Sequence, residues 1–530
     1  MKNTRLIYLS LLLPSLALTI TGCNKGGSEQ KDPGLYDEEE KASNANGSMS
    51  YEIFVRTFYD TNNNQIGDLN GVTAKLPYLY DLGIKTIWLM PIHKTMSYHG
   101  YDVVDYKSVN PDYGTINDFD NLVTEAKKYN IDIMLDMVFN HTSSQCKWFK
   151  DSYLYYQDGD RDGIAMYYNW STTGGTGYSK YGDLYYESRF DSSMPDLNLD
   201  SEDVRNELDD VCKFWIQDHG VKGFRLDAVL YYYYGQSSKN IEFLSWLSQT
   251  TKKYDPNFYM VGEAWDDDGD KQIAYYQSGL DSFFNFRHSI TGTKTLITLA
   301  KGTGSANNYA GDIESYERSL KAKNPNGYSS YFLSNHDQDR IAKSFYDEYV
   351  DSNKAAASLY CLLPGTPFMY YGEEISLKGE RGNEQSDRLR RLPMIWSETD
   401  KTGECKAPEN AKNYDQVTLG VEDQLKKEDS LVNHYKRVIN VRNQYPFLKQ
   451  GIFKNLTSSL EDETGYVMAY SITLGEQSVI FVHNFGFESA SMNNIGGKIL
   501  NDLNVTAQRA NISNGKLTLG PHSSVVLSVN

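Results

Sequence analysis

Residues 220–229 read Gly220-Val221-Lys222-Gly223-Phe224-Arg225-Leu226-Asp227-Ala228-Val229. An apolar run begins at Gly223, carries one Arg and stops at a carboxylate, so it predicts a short buried strand over Gly223–Val229. Just before it, Val204, Leu208, Val211, Cys212 and Trp215 recur at helical spacing, and Gly220 supplies a C-terminal stop. The same alternation extends in both directions. Candidate strands are Ile53–Phe58, Thr86–Ile92, Ile131–Phe139, Phe258–Ala264, Asp281–Phe286, Tyr331–Ser334 and Pro367–Tyr371. Thr115 and Asp118 form a capping-box pattern ahead of Phe119, Leu122, Val123 and Ala126. Eight strands alternating with helices predict an α/β protein built on a (β/α)8 TIM barrel; a doubly wound open sheet is the rival.

Two stretches break the alternation. About sixty Tyr-, Gly-, Asp- and Ser-rich residues separate the third strand from the helix near Ser201, too many for a plain connection. They predict a small inserted domain B over 141–200, with the barrel over 49–140 and 201–449. After Leu431–Tyr445 the period changes to that of strands, at Tyr466–Leu474, Ser478–Phe485, Leu517–Leu519 and Val525–Val529. A C-terminal all-β sandwich over 450–530 is expected.

The chain has 530 residues, 40% hydrophobic and 23% charged, so about three domains of ~150 residues fit, and global disorder does not. Seventy acidic against 52 basic residues give a net charge of −18, which argues against nucleic acid as a partner. At the N-terminus Lys2 and Arg5 precede an apolar run, Leu6–Ile20, which has the form of a secretory leader. It ends Ile20-Thr21-Gly22-Cys23 and resembles a bacterial lipobox, in which Cys23 is lipidated after removal of residues 1–22. Residues 23–48 then read as a solvated tether. The other cysteines, Cys146, Cys212, Cys361 and Cys405, match no zinc spacing.

Barrel enzymes work at the C-terminal ends of their strands. There the sequence places Asp136…Asn140-His141, Arg225-Leu226-Asp227, Gly262-Glu263-Ala264-Trp265 and Asn335-His336-Asp337. Asp227, Glu263 and Asp337 thus come from three different strands. A lone strand-end carboxylate is usually a cap; three at one mouth fit glycosidic chemistry, which needs a nucleophile or base and a proton donor. Arg225 lies on the same strand face as Asp227 and is expected to keep it ionised, which suits a nucleophile. Glu263 needs a raised pKa to serve as acid.

These segments resemble the conserved regions of the α-amylase family, glycoside hydrolase family 13, over essentially all of residues 49–530. Met194-Pro195-Asp196-Leu197-Asn198 and Gly365-Thr366-Pro367…Tyr370-Tyr371-Gly372-Glu373-Glu374 extend the likeness. The resemblance implies a retaining mechanism on α-glucans. Asp227 is then the nucleophile, Glu263 the acid/base and Asp337 the transition-state stabiliser, with the first two carboxyl groups about 5–5.5 Å apart. It further implies sugar contacts from His141 and His336, a Tyr101 that stacks under the sugar, and weaker contacts from His99 and Trp265.

Between Asp60 and Asp68 oxygen side chains alternate: Asp60, Asn62, Asn64 and Asp68, with the Ile66 carbonyl between. Such a loop wraps a hard cation such as Ca²⁺, or it is an Asn-rich turn without metal. It resembles the calcium loop of many family members. The resemblance implies a second calcium at Asn140, Asp196 and the backbone of Tyr231. Where α-amylases carry Lys-His after the nucleophile, this chain has Leu230-Tyr231. The expected protein is a monomeric endo-α-amylase of starch and maltodextrins, lipid-anchored at the outer face of a bacterial membrane. The alternatives are an oligosaccharide-specific α-glucosidase, a neopullulanase-like enzyme, and a surface lipoprotein that only captures glucan.

Overall fold

The computed structural model describes residues 47–345, 349–381, 387–408, 411, 416–462, 464–493 and 496–529. The leader, Cys23 and the tether up to residue 46 lie outside them. Eight parallel strands form one sheet: β1 (Ser50–Ile53), β2 (Thr86–Leu89), β3 (Asp132–Met137), β4 (Gly223–Leu226), β5 (Tyr259–Gly262), β6 (Ser282–Phe284), β7 (Tyr328–Ser330) and β8 (Phe368–Tyr370). Their order is β7-β6-β5-β4-β3-β2-β1-β8. The Thr366 N–H donates to the Ser329 carbonyl at 2.9 Å and the Phe368 N–H to the Tyr331 carbonyl at 2.8 Å, which closes the sheet into a barrel. Trp88, Met134, Tyr259, Val261, Phe284, Tyr328 and Phe368 fill its interior as a packed core.

The helices bury the stripes that the sequence marks. In Glu202–Lys213 the Ser201 hydroxyl caps the Val204 N–H, and Val204, Leu208, Val211 and Cys212 are fully buried. Each such side chain contributes roughly 1.5–3 kcal/mol relative to exposure. The helix then widens to a π turn at Phe214–Asp218, which lets Trp215 reach inward and donate its Nε1–H to the Tyr106 carbonyl at 2.8 Å. The Thr115–Asp118 capping box forms as expected ahead of Ile116–Lys128.

Two strands differ from their predicted positions. β1 lies at Ser50–Ile53, not Ile53–Phe58, and β7 at Tyr328–Ser330, not Tyr331–Ser334. Both are partly polar where the barrel buries them. Ser50 and Glu52 on β1, and Ser329 and Ser330 on β7, are at most 2% exposed. The Ser330 hydroxyl is satisfied by Ser282 Oγ at 2.9 Å, and Ser282 Oγ by the Tyr259 hydroxyl at 2.6 Å. A search for apolar runs therefore slides onto the buried loops that follow.

After β3 the chain leaves the barrel. It forms the helix Lys147–Gln157 and a three-stranded antiparallel sheet of Trp170–Ser171, Leu184–Glu187 and Tyr178–Tyr181. It returns alongside its own exit: the Leu197 N–H donates to the Asn140 carbonyl at 2.9 Å and the Thr142 N–H to Pro195 at 3.1 Å. A second excursion, the hairpin His93–Thr95/Val103–Val109, presents Tyr98–Asp102 at the same mouth. Beyond residue 450 two antiparallel sheets of five and four strands enclose Val467, Ala469, Val482, Met492, Leu517 and Val525. Cys146, Cys212, Cys361 and Cys405 are buried free thiols.

Candidate active site

Arg225 stands at the centre. Its side chain is 1% exposed, because β4 points it into the barrel mouth one step below Asp227. One Nη–H group donates to Asp136 Oδ1 and Asp227 Oδ1, each at 2.7 Å. The other Nη lies 2.9 Å from Glu263 Oε1. Asp227 and Glu263 therefore flank one guanidinium. The Ala228 N–H donates to Glu263 Oε2 at 3.0 Å, which ties the segment after Asp227 to the second carboxyl.

Asp337 is held from another direction. Arg391 Nη2 donates to its Oδ1 at 2.8 Å and His336 Nε2 lies 2.9 Å from its Oδ2. His336 Nδ1 is paired with Glu52, which points in from β1. The Tyr101 hydroxyl reaches Asp136 Oδ2 at 3.0 Å, and its ring stacks on His336 with centroids 5.6 Å apart. His99 stacks on the same Tyr101 ring, and its Nδ1 accepts the Tyr101 N–H at 3.0 Å. His141 Nε2 meets the Tyr101 carbonyl at 3.1 Å.

These carboxyl groups titrate differently. Burial pushes Glu263 up to about 7, against Arg225, with Asp227 and Asp337 adding to the rise. Burial works against charge on His336, yet the carboxylates of Asp337 and Glu52 raise it to about 9. Burial also penalises the Asp337 carboxylate, but His336 and Arg391 hold it well below the usual range. Burial lowers His141 and His99, which keeps both neutral. Five carboxyl groups, at 52, 136, 227, 263 and 337, thus surround three cations, Arg225, Arg391 and His336. The excess of negative charge favours a retained proton: burial raises both Glu263 and Asp136 to about 7, and of the two Glu263 is the one that lines the cleft.

A cleft of about 1110 Å³ opens over this cluster. Asp227, Glu263 and Asp337 line it together with Tyr101, His99 and His141; Trp265 lines one side, stacked on Phe286 at 4.7 Å. Arg225 and His336 sit behind that lining, so they act on the carboxylates from below. Sequence reading did not single out Arg391, Glu52 or Phe190. Glu52 could have been found as a carboxylate inside a strand; Arg391 lies in a loop after β8 and carries no such signal.

The 60–68 loop curls on itself. Asp60 accepts the amides of Asn62, Asn63 and Gln65, Asn62 Oδ1 that of Asn64, and Asn64 Oδ1 that of Ile66. Asn63 and Gln65 adopt left-handed backbone, φ 64° and 68°. Asp68 caps the following helix through the Gly71 N–H at 2.7 Å. Asn140 and Asp196 also meet: Asn140 Nδ2 donates to Asp196 Oδ1 at 3.1 Å, and Asn140 Oδ1 is buried without a partner. Burial raises Asp196 to about 7. The Tyr231 ring lies against Phe190 and Tyr234. Among the described residues no three His, Cys, Asp or Glu side chains are grouped to hold a metal.

Comparison with known proteins bears on this geometry. Residues 52–451 match the family described as Alpha amylase, catalytic domain. Alpha-amylase 3 of Dictyoglomus thermophilum is 36% identical over 492 residues, 91% of this chain and 93% of that protein. Oligo-1,6-glucosidase of Parageobacillus thermoglucosidasius is 28% identical, over 83% of this chain and 90% of that one. Among solved structures, Eubacterium rectale Amy13B superposes with a TM-score of 0.85 at 34% identity, covering 92% of this chain and 96% of its own.

Proposed function

Because the chain belongs to the α-amylase family of glycoside hydrolases, we propose that it is a retaining, endo-acting α-amylase that cuts α-1,4 bonds in starch and maltodextrins. The observation that carries this reading is the carboxylate trio along an open cleft of about 1110 Å³. That space exceeds the roughly 300–1,000 Å³ of a small-ligand pocket and suits a chain of sugars.

The chemistry follows from the site. Asp227, oriented by Arg225, attacks the anomeric carbon while protonated Glu263 gives its proton to the departing glycosidic oxygen. Glu263, now a carboxylate, takes a proton from water, and the water oxygen displaces Asp227. Asp337, kept ionised by His336 and Arg391, faces the positive charge that develops on the sugar. Tyr101 offers its ring face beneath that sugar.

The test is the early product profile on amylose. A spread of maltooligosaccharides with rapid loss of polymer length supports endo action; glucose released one unit at a time overturns it. The second outcome favours an oligosaccharide α-glucosidase, a reading that the likeness to oligo-1,6-glucosidase and the Leu230-Tyr231 pair keep alive.

Two further readings belong to the proposal. Ca²⁺ suits the 60–68 loop, where Asp60, Asn62, Asn64, Asp68 and the Ile66 carbonyl supply hard oxygens. At Asn140 and Asp196 a cation would meet the unpartnered Asn140 Oδ1 and ionise Asp196. Chelation is expected to lower the melting temperature and added Ca²⁺ to restore it; a flat response to both refutes the metal. Cys23 carries the anchor that holds the enzyme at the outer membrane face, and Cys23→Ser is expected to move activity from the membrane to the soluble fraction.

A further inference from the structure

One carboxyl group inside the barrel touches neither the cleft nor a substrate position. Glu52 sits on β1 in register with Trp88 on β2 and Tyr370 on β8, and it is buried like the rest of that strand. Its neighbour Tyr51 turns the other way, to Glu374, so Glu52 points inward. Interior positions of such barrels are ordinarily filled by Val, Ile or Leu. A buried ion pair is a poor source of net stability, because taking two charges out of water offsets their attraction. Packing therefore gives no reason for a carboxyl group here. Among the described residues Glu52 has one ion pair, to His336 Nδ1.

The His336 ring is engaged at both nitrogens. Nδ1 meets Glu52, while Nε2 lies 2.9 Å from Asp337 Oδ2 and 2.6 Å from the Tyr101 hydroxyl. That hydroxyl has a single proton and gives it to Asp136 Oδ2 at 3.0 Å, so toward Nε2 its oxygen accepts. A neutral imidazole carries one N–H and cannot donate on both sides; the doubly protonated ring can. The ring itself is fixed in place. Tyr101 stacks on one face, Trp88 meets it edge-on with centroids 5.7 Å apart, and Arg391 Nε donates to the His336 carbonyl at 3.2 Å. The other charged or titratable groups facing this set are Asp136, Tyr370 beside Glu52, and Arg225 and Arg391 around Asp337. Burial opposes charge on the ring, but Asp337 and Glu52 outweigh it.

We propose that Glu52 is a positioning residue for the glycosidic reaction: it keeps the His336 ring doubly protonated, so that Nε2–H always donates to Asp337 and holds that carboxylate against the reacting sugar. The inference rests on the glycosidase reading above and deepens it. Glu52 acts from behind the cleft lining and through another residue, so it touches no substrate. Without its charge the ring gives up its second proton at a lower pH. The one proton left then serves either Nδ1 or Nε2. In the molecules where it serves Nδ1, Asp337 faces a lone pair in place of a donor and is held by Arg391 alone. The charge of Glu52 thus sets how far into alkaline pH the site stays assembled.

The test uses the full chain with α-maltotriosyl fluoride as substrate, followed by fluoride release. Fluoride leaves with little help from an acid, so Glu263 sets no alkaline limit on this substrate and the limb that remains reads the groups around Asp337. Native enzyme is expected to hold kcat up to about pH 9. Glu52→Gln is expected to match native kcat within about threefold at pH 6.5 and to fall about tenfold or more below it by pH 8.5, with KM moved less than kcat. Glu52→Asp keeps the charge and is expected to shift the limb back toward the native one. A Glu52→Gln profile parallel to the native one, at equal or at uniformly lower kcat, overturns the role and leaves Glu52 as structure alone. Should the variants misfold, nitrogen-15 spectra of histidine-labelled native enzyme carry the test, with His336→Gln to assign the signal. Two N–H groups on the His336 ring at pH 7 are expected, and a ring with one overturns the proposal. No fluoride release from native enzyme overturns the glycosidase reading beneath it.

Discussion

Two sets of buried carboxyl groups lie at strand ends in this barrel, and their surroundings differ. Glu263 follows β5; Glu373 and Glu374 follow β8. Burial raises all three, Glu263 to about 7 and Glu373 to about 8. Glu263 faces a cleft and shares Arg225 with Asp227 and Asp136. Glu373 instead accepts the hydroxyls of Tyr360 and Tyr435 at 2.7 and 2.6 Å, and Glu374 those of Tyr51 and Tyr78, both at 2.6 Å. Among the described residues neither is in an ion pair, and neither lines the cleft. A raised pKa alone therefore does not mark chemistry. Glu263 differs in having an open face for substrate and in sharing a guanidinium with Asp227, whereas the carboxylate beside Glu373 is another buried group bound to tyrosines.

The largest test of that contrast is Glu263→Gln. Loss of a positioned acid is expected to lower kcat by about 10²–10⁴-fold. In the native enzyme kcat/KM should fall as pH rises through about 7, because Glu263 must carry its proton into the first step. In Glu263→Gln that alkaline limb should vanish from the residual activity. A native limb unrelated to this residue would remove Glu263 from the role of acid.

Arg225→Met tests the charged partner. It leaves Asp136, Asp227 and Glu263 together with no cation between them, and breaking a buried pair in this way costs about 3–5 kcal/mol of stability. Activity should fall with it, since Asp227 loses its orientation. Thermal unfolding and kcat measured on the same sample check both. A variant as stable as the native protein would mean that the carboxyl groups are already largely protonated.

The trio of Asp227, Glu263 and Asp337 was legible because a carboxylate ending an apolar run stands out against a packed strand. The barrel was legible from the eightfold alternation. β1 and β7 were displaced because their buried residues include Ser and Glu, of which Glu52 and Ser330 pair with groups distant in sequence that hydropathy cannot register. For the same reason Arg391 and Glu52 were missed. Arg391 joins Asp337 from 54 residues away, and His336 meets Glu52 across 284. The sequence singled out Glu263 and left Glu373 without a role; the tyrosines that enclose Glu373 come from helices distant in the chain and carry no local signal.

A smaller effect is expected from Glu52→Gln. The folded pKa of His336, about 9, lies above its ordinary value of 6.5. Its contribution to stability is therefore present in full below pH 6.5 and is lost as pH rises through 9. Gln keeps an acceptor for Nδ1 but removes the charge, at a cost of about 1.5–3 kcal/mol. The variant's folded His336 pKa lies closer to 6.5, so less stability remains to be lost as pH rises and the loss is complete at lower pH. Melting temperatures at pH 6 and 8.5 check this: the gap between them should be narrower in the variant. An equal gap would leave Asp337 as the sole cause of the raised His336.

Glu373→Gln should leave kcat unchanged, and it isolates burial from chemistry. The unfolded chain releases this proton near pH 4.5, while the folded protein keeps it to about 8. Between those values the folded state binds more protons, so native stability declines with pH by up to about 1.4 kcal/mol per unit. Gln mimics the protonated acid, since its Oε1 can accept from both Tyr360 and Tyr435. The variant should therefore lose part of that decline and melt higher than native protein at pH 8, with little difference at pH 4.5. Unfolding across this range, paired with kcat at each pH, reads both quantities. A fall in kcat at unchanged melting temperature would make Glu373 part of the catalytic machinery, and the difference between the two sets of carboxyl groups would disappear.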